Sequence, residues 1–295
     1  MTILSTGRFN YRLQLVRSKT ILLVAFLFSL ALVYLCYFYD DYSPVPPPVR
    51  EGATKLSKAV VVPKTKWDRV GWVKKLEPEW VPFIYSVDND ARYTLRTPKN
   101  VGREAMVYLS FIIDYYDSLP EIVAFTHSTN KQWHNDFKGR KTVNILSHLR
   151  DDAVKKKGYV NLRCLWEPGC PTSVNPLNPT ETDIKEQGER AKMAEIYMEL
   201  FNVTRTEVPM HIGGVCCAQF AVTRERIRQR PLDDYIRMRN WALGAEFTSF
   251  GVGWVFEQIW HIIFMEEAIQ QPEDQELEAL YSMSGLYVSD SKHLG

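Results

Sequence analysis

The pattern of apolar and polar positions predicts one helix that lies inside a domain yet carries a polar stripe. Residues 100–120 have the sequence "NVGREAMVYLSFIIDYYDSLP", in which apolar side chains cover most of a helical cylinder. Four polar residues at helical spacing form the stripe: Arg103, Ser110, Asp114 and Asp117. Because a buried charge is costly without a partner, we expect these groups either to bond internally or to face a cleft.

Short apolar runs around this helix predict β-strands. The runs "KAVVVPK" (58–64), "WVPFIYSV" (80–87) and "PEIVAFTHS" (120–128) are rich in β-branched and aromatic residues, and helical patterns separate them. Alternating strands and helices are typical of a parallel sheet that helices cover. We therefore predict an α/β fold, a single domain with a mostly parallel, helix-covered sheet.

The second half of the chain predicts two further helices and one strand. "RAKMAEIYMELF" (190–201) has the period of an amphipathic helix, and "GWVFEQIWHIIF" (253–264) is a second strongly apolar helix. Between them, "VCCAQFAVT" (215–223) is a compact apolar run that predicts a strand. Acidic and polar residues dominate 269–295, which predicts a flexible tail, so the α/β domain is expected over 58–268.

The N-terminal pattern predicts a membrane anchor. Residues 20–39 carry no charge and are long enough for a hydrocarbon core of roughly 30 Å. Basic residues dominate the preceding tail, 1–19, and two acidic residues follow the run, which predicts type II topology. A cleaved signal peptide is the alternative, but no A-x-A-like site follows. The Pro-rich residues 40–57 then form a stem, and the domain faces the lumen of the ER or Golgi.

Composition and charge narrow the choice of partners. The chain has 295 residues with 45% hydrophobic residues, enough for a sizeable core, and a net charge of +1. This balance gives no electrostatic case for nucleic acid as a partner. In a lumenal domain, the sequon at Asn202 is a candidate glycosylation site.

Four cysteines would be lumenal and are candidates for disulfides: Cys164, Cys170, Cys216 and Cys217. A bond between the neighbours Cys216 and Cys217 would be strained. Their side chains are expected to point to opposite faces of the predicted strand. We therefore favour Cys164 and Cys170 bonding elsewhere or with each other. The adjacent pair is interpreted as structural rather than nucleophilic.

Polar residues after the predicted strands are the first candidates for a site, because open α/β sheets bind ligands beyond the carboxyl ends of their strands. Asp88 and Asp90 follow the second strand. They either bind a ribose or a divalent cation or simply form a turn. His127 follows the third strand and is a candidate base or metal ligand, with His134 close after it.

Two helices add candidates. The start of the 100–120 helix could bind an anion or be merely capped, through Asn100, Gly102, Arg103 and Glu104. Asp114 is a weaker binding candidate, since an internal partner is the favoured interpretation. Glu257 and His261 lie one turn apart and could face one metal ion or substrate, or only each other.

Several blocks resemble an uncharacterised fungal domain family of unknown function over about residues 58–268. The blocks are "NVGREAMVYLSFIIDYYDSLPEIVAFTHS", "GYVNLRCLWEPGCP", "CCAQFAVTRERIRQRP" with Tyr235, and "FEQIWHIIF". This resemblance implies no established activity.

The order of elements also resembles, more distantly, glycosyltransferases of the GT-A type. That resemblance implies a nucleotide near Asp88 and Asp90, Glu257 as the base, and His127 or His261 near a metal ion. It also makes Gln219, in the late apolar strand, a binding candidate. The family's Asp-x-Asp for Mn²⁺ or Mg²⁺ is replaced by "THS" (126–128), so either the cation is held otherwise, none is used, or the chain does not transfer sugar.

The leading hypothesis is therefore a membrane-anchored enzyme that transfers a sugar or similar group from a nucleotide donor to an acceptor. A hydrolytic or tailoring enzyme on the same scaffold is the first alternative. A non-catalytic, membrane-tethered binding protein, in which the polar groups satisfy one another, is the second.

Overall fold

A computed structural model describes residues 19–34, 57–165, 174–270 and 280–281. The chain divides into two units, 1–42 and 43–295. In the first unit, residues 19–34 are helical (α1) and their large apolar side chains are exposed. Within the described ranges, we find no helix with both the length and the apolar character that a membrane span requires. The last residues of the predicted span, 35–39, lie outside these ranges, so the anchor stays a prediction.

The second unit contains one five-stranded sheet in the order β2-β1-β3-β5-β4. The strands are β1 (Lys58–Lys64), β2 (Val81–Ser86), β3 (Ile122–Phe125), β4 (Tyr159–Asn161) and β5 (Phe220–Thr223). β1 pairs in parallel with β2 and β3, whereas β5 is antiparallel to both β3 and β4. The predicted α/β fold is therefore confirmed, but the sheet is mixed rather than mostly parallel.

The carboxyl ends of four strands lie on the same side of the sheet. Because β5 runs opposite to its neighbours, β1 to β4 end on the side at which β5 begins. We call this side the carboxyl rim. Loops that follow β1 to β4, and the loop that precedes β5, all lie there.

Helices accompany the sheet, and the two strongly apolar helices that the sequence predicts are both present. The α-helices are α2 (Glu104–Asp114), α3 (Thr142–His148), α4 (Asp151–Lys157), α5 (Glu181–Glu186), α6 (Met193–Phe201), α7 (Arg224–Arg228), α8 (Leu232–Gly244) and α9 (Ser249–Ile263). Short 3-10 helices span Gly71–Leu76, Tyr116–Ser118, Lys138–Arg140 and Arg205–Glu207. The sequence pattern predicted neither α5 nor α8, because both lie in stretches where polar residues dominate.

The core lies between the sheet and helices α2 and α9. Every residue of α2 from Ala105 to Ile112 is buried, as expected for a helix that is apolar on most sides. The ring of Tyr108 lies 4.8 Å from that of Phe125 on β3 and 5.6 Å from that of Trp260 on α9. These aromatic contacts join the two helices to the middle of the sheet and fix the position of α9 relative to the carboxyl rim.

Two residues of the predicted flexible tail are part of the domain. Leu280 and Tyr281 are buried, and the Tyr281 hydroxyl donates to the Leu162 carbonyl oxygen at 2.8 Å. Its ring stacks on Phe137 with 4.5 Å between the ring centroids. An apolar pair within an acidic segment therefore packs against the loop after β4, at positions beyond the predicted domain end at residue 268.

Candidate functional site

The carboxyl rim collects polar groups from four separate parts of the chain. Asp88 lies two residues after β2, His127 two residues after β3, and Arg163 two residues after β4. Gln219 directly precedes β5. Strand ends of an open α/β sheet are where ligands bind, so this convergence identifies the rim as the candidate site.

The backbone of Cys217 joins the two candidate catalytic residues. Its amide donates to Oε1 of Glu257 at 2.9 Å. Its carbonyl oxygen accepts a hydrogen bond from Nε2 of His127 at 2.6 Å. The carboxylate from α9 and the imidazole that follows β3 are thus held by the two polar groups of one residue.

The segment before β5 is a tight turn rather than a strand. Cys217 and Ala218 have φ angles of +84° and +46°, in the left-handed region, and β5 begins only at Phe220. Cys216 and Cys217 form a disulfide bond within this turn. The sequence argument against this bond assumed extended backbone, in which neighbouring side chains point apart; that assumption is wrong here.

Of the other two cysteines, which we expected to bond elsewhere or with each other, only Cys164 lies within the described residues. Cys164 is a free, buried thiol. Burial raises its pKa to about 12, so it stays protonated. Cys170 lies outside the described residues.

Glu257 has the electrostatics of a proton acceptor. Burial raises the pKa of its carboxyl group above the usual range, and the Glu104 charge adds to this. The hydrogen bond from the Cys217 amide and the nearby charges of His127 and Arg103 act in the opposite direction. A carboxylate with a raised pKa binds a proton more readily than an exposed one, which suits a general base.

The loop before α2 packs tightly against the start of α9. Gly102 has a φ of +72°, and a Cβ atom there would lie 2.9 Å from a methyl carbon of Val252. The next residue, Arg103, stacks its guanidinium group on the ring of Phe250 at 4.8 Å. Glycine is required at position 102 because the backbone there lies so close to Val252. This packing places the charges of Arg103 and Glu104 close enough to affect the pKa of Glu257.

A pocket of about 620 Å³ lies beyond the ends of β1 and β2, and we call it the β1–β2 pocket. The Asp88 carboxylate accepts from the Lys66 amide at 2.6 Å and from the side-chain amide of Asn100 at 3.1 Å, which ties two walls together. The lining residues are Lys66, Val87, Asp88, Asn89, Thr97, Pro98, Lys99 and Asn100.

Thr97 is the most informative residue in this pocket. Its side chain is only 9% exposed, and its hydroxyl has no hydrogen-bond partner within the described part of the chain. A buried hydroxyl without a partner costs free energy unless a ligand or water satisfies it. Two lysine side chains, Lys66 and Lys99, add positive charge to the same walls.

His134 and Gln219 are buried at the carboxyl rim. The His134 ring centroid lies 4.9 Å from that of His127. Burial lowers the pKa of His134 to about 3, with the His127 and Arg163 charges acting in the same direction, so the ring is neutral. Gln219 is buried and donates to the Asn135 side chain at 2.8 Å, a structural contact.

Two predicted aspartates do not join the site. Asp90 forms an ion pair with Arg92 at 2.5 Å, which lowers the pKa of that carboxyl to about 2. Asp114, at the far end of α2, accepts a hydrogen bond from the Tyr85 hydroxyl at 2.8 Å. The predicted polar stripe therefore has two uses, since Arg103 stacks on Phe250 and acts on Glu257, whereas Asp114 bonds internally.

His261 is a structural residue rather than a partner of Glu257. Its Nε2 donates to the Ala268 carbonyl oxygen at 3.2 Å. A Cβ atom on Gly214 would lie 2.7 Å from the imidazole ring, so the ring fills the space that glycine leaves. Neither a metal-ligand role nor a substrate contact follows from this position.

We expect acid to destabilise the domain through His261. Burial lowers the pKa of this ring to about 4, below its ordinary value of 6.5. The unfolded chain therefore takes up a proton first, and stability that is present above pH 6.5 is lost as the pH falls towards 4, by up to about 3 kcal/mol. Chemical denaturation across this range should give a flatter profile for His261→Gln than for the wild type. Parallel profiles would contradict the assignment.

The exposed residue Asn202 ends α6 in a left-handed conformation. The sequon's threonine, Thr204, donates to the Glu207 carboxylate at 2.8 Å. An exposed turn is accessible to modification, and glycosylation of Asn202 stays a prediction.

Sequence reasoning missed four residues of the rim: Lys66, Thr97, Lys99 and Arg163. Arg163 had a usable pattern, because it is a charged residue within the apolar run "YVNLRCLW". Lys66 likewise follows the first strand by two residues. Nothing in the local pattern distinguished Thr97 or Lys99 from ordinary loop residues.

Comparison with known families gives one match. A family model described as "Protein of unknown function (DUF3431)" matches residues 60–278. The chain belongs to the DUF3431 family. No curated protein and no solved structure matches it. The resemblance to a family of unknown function is confirmed, and the DUF3431 match includes β2 to β5, most of β1, and the carboxyl rim.

Proposed function

We propose that this DUF3431 domain is a GT-A-like glycosyltransferase that moves a sugar or similar group from a nucleotide donor to an acceptor hydroxyl. The observation that carries the proposal is the β1–β2 pocket, which combines positive charge, a carboxylate and the unpartnered hydroxyl of Thr97. In this proposal residues 20–39 anchor the chain as a type II membrane protein, and the domain faces the ER or Golgi lumen.

The pocket suits the nucleotide part of a donor. Lys66 and Lys99 supply charge for phosphate oxygens, and the Asp88 carboxylate can accept from ribose hydroxyls. Thr97 offers a buried donor for one further ligand oxygen or nitrogen. Asn100 lines this pocket and Arg103 acts on Glu257, so the loop before α2 runs between the pocket and the candidate base.

Glu257 and Arg103 have complementary tasks in the transfer. Glu257 accepts the proton of the acceptor hydroxyl while the acceptor oxygen bonds to the anomeric carbon. The bond from that carbon to the donor's phosphate oxygen breaks, and the leaving diphosphate takes the electron pair. Arg103 and the positive end of α2 stabilise its charge.

The order of elements along the chain supports this proposal. β2 leads to Asp88, α2 follows, β3 leads to His127, and the Glu-bearing helix α9 comes after β5. The tip of β3 carries His127 where the resemblance implies an Asp-x-Asp, and its Nε2 bonds to the Cys217 carbonyl oxygen. A role for Mn²⁺ or Mg²⁺ therefore has to be tested directly.

Nucleotide binding by the full-length protein tests the proposal. We expect UDP or GDP, with or without Mn²⁺, to raise the melting temperature of the wild type. Thr97→Val, which keeps the side-chain shape and removes the hydroxyl, should weaken binding by about 2- to 10-fold without loss of stability, because that hydroxyl has no partner.

Thr142→Val is the matched control for this measurement. The Thr142 hydroxyl is hydrogen-bonded to Asn130 and Asn135, away from the pocket. This variant should lose stability and keep its nucleotide affinity. If no nucleotide stabilises the wild type, a hydrolytic or binding role replaces transfer; if Thr97→Val binds as tightly as the wild type, the β1–β2 pocket is not the donor site.

A further inference from the structure

The adjacent cysteines and Glu257 place three metal-ligand atoms together. The two sulfur atoms and one carboxylate oxygen lie within 4.8 Å of one another. Cys216 and Cys217 are each only 9% exposed, and Glu257 is partly buried. Donor atoms around one tetrahedral zinc ion lie roughly 4 Å apart, so small side-chain movements would bring these three into coordination distance.

We propose that the reduced Cys216–Cys217 pair and Glu257 form a binding site for a thiophilic divalent cation of the zinc type. Thiolate and carboxylate are ligands that Zn²⁺ accepts, and three protein ligands leave a fourth position for water or a substrate atom. None of these three residues lines the β1–β2 pocket. The cation site shares Glu257 with the proposed transfer reaction, but its existence does not depend on sugar transfer.

Arg163 completes the charge balance of the site. Its Nη1 lies 2.7 Å from the Cys216 sulfur and 3.5 Å from the Cys217 sulfur, and the side chain is only 4% exposed. Two thiolates and one carboxylate carry three negative charges, which a divalent ion and one guanidinium group neutralise. Charges in a buried place are tolerated when they are balanced, and a neighbouring cation favours the thiolate form of cysteine.

The disulfide makes the site dependent on redox state. Two molecules of a thiol reductant of the glutathione class supply two electrons and two protons; they become one disulfide, and the bond between Cys216 and Cys217 becomes two thiols. Binding of the cation then displaces both thiol protons. In the oxidised form the sulfurs carry no negative charge, and Glu257 is left with its hydrogen bond from the Cys217 amide.

Cobalt absorption tests the proposal on the full-length protein. After reduction with a phosphine, which is not a competing thiol, added Co²⁺ should give the near-ultraviolet thiolate-to-cobalt band with one ion per chain. Excess Zn²⁺ should abolish the band, and the oxidised protein should not form it. Absence of the band in the reduced protein, or its presence before reduction, overturns the proposal.

Single substitutions locate the ion. Cys216→Ser and Cys217→Ser should remove the band, and Glu257→Gln, which keeps both cysteines, should weaken Co²⁺ binding by more than about tenfold. Cys164→Ser and Cys170→Ser are the controls and should keep the wild-type band. A band that survives either of the first two changes, or unchanged affinity in Glu257→Gln, contradicts the three-ligand site. Glu257→Gln still decides the question if a serine variant fails to fold.

Discussion

Glu257→Gln should lower the rate of sugar transfer by about 10²- to 10⁴-fold, the range typical for loss of a general base. The substitution removes the proton acceptor but keeps an oxygen that can accept the hydrogen bond from the Cys217 amide. Initial rates at saturating donor, compared with the wild type, measure the effect.

The pH dependence of stability distinguishes this loss from misfolding. Burial raises the pKa of Glu257 in the folded protein, so the folded state holds this proton more tightly than the unfolded chain. The resulting stability is present below the unfolded pKa and is lost as the pH rises through the folded one. Glu257→Gln should therefore be at least as stable as the wild type at neutral pH.

Glu199→Gln is the matched control, since this exposed glutamate on α6 neither lines the β1–β2 pocket nor acts electrostatically on Glu257. It should keep the wild-type rate. A Glu257→Gln enzyme with the full wild-type rate would show that another group accepts the proton, and His127 would be the next candidate because it bonds to the same residue, Cys217.

Tyr281→Ala should lower the free energy of unfolding by about 3–5 kcal/mol, as for other large buried aromatic residues. The side chain is 1% exposed, stacks on Phe137 and donates to the Leu162 carbonyl oxygen. Its removal leaves a cavity and an unsatisfied carbonyl next to the loop after β4. Urea denaturation of the full-length protein measures the loss.

Tyr281→Phe separates the ring from the hydroxyl. It keeps the stacking on Phe137 and removes one hydrogen bond, so we expect a smaller loss of about 1 kcal/mol. If Tyr281→Ala unfolds at the same urea concentration as the wild type, the docked segment does not contribute to the stability of the domain.

The elements that the sequence predicted correctly have strong apolar periodicity. β1, β2, α2 and α9 are buried on most sides, and their runs of apolar residues are long enough to identify them. The reversed direction of β5 could not be predicted in this way, because a short apolar run has the same pattern in either direction. The flanking loops and the sheet order, which are tertiary properties, decide it.

The candidate site was predictable only where a residue follows a strand. His127 and Asp88 lie at the carboxyl rim because the strands before them end there. The central residue, Cys217, was not predictable, since its left-handed backbone replaces the strand that the apolar run implied. For Asp90 and His261, spacing suggested a site, but the residues that satisfy them, Arg92 and the Ala268 carbonyl, were not evident from the pattern.

The sheet order also governs how a nascent chain can assemble. β4 is synthesised well before β5, yet β5 is its neighbour in the sheet. During translation the backbone groups of β4 therefore stay unpaired until Phe220–Thr223 has left the ribosome. By contrast, β1, β2 and β3 can already pair with one another. Slow ribosomal elongation between β4 and β5 would lengthen the interval in which the backbone groups of β4 are unpaired, and unpaired strand edges favour aggregation.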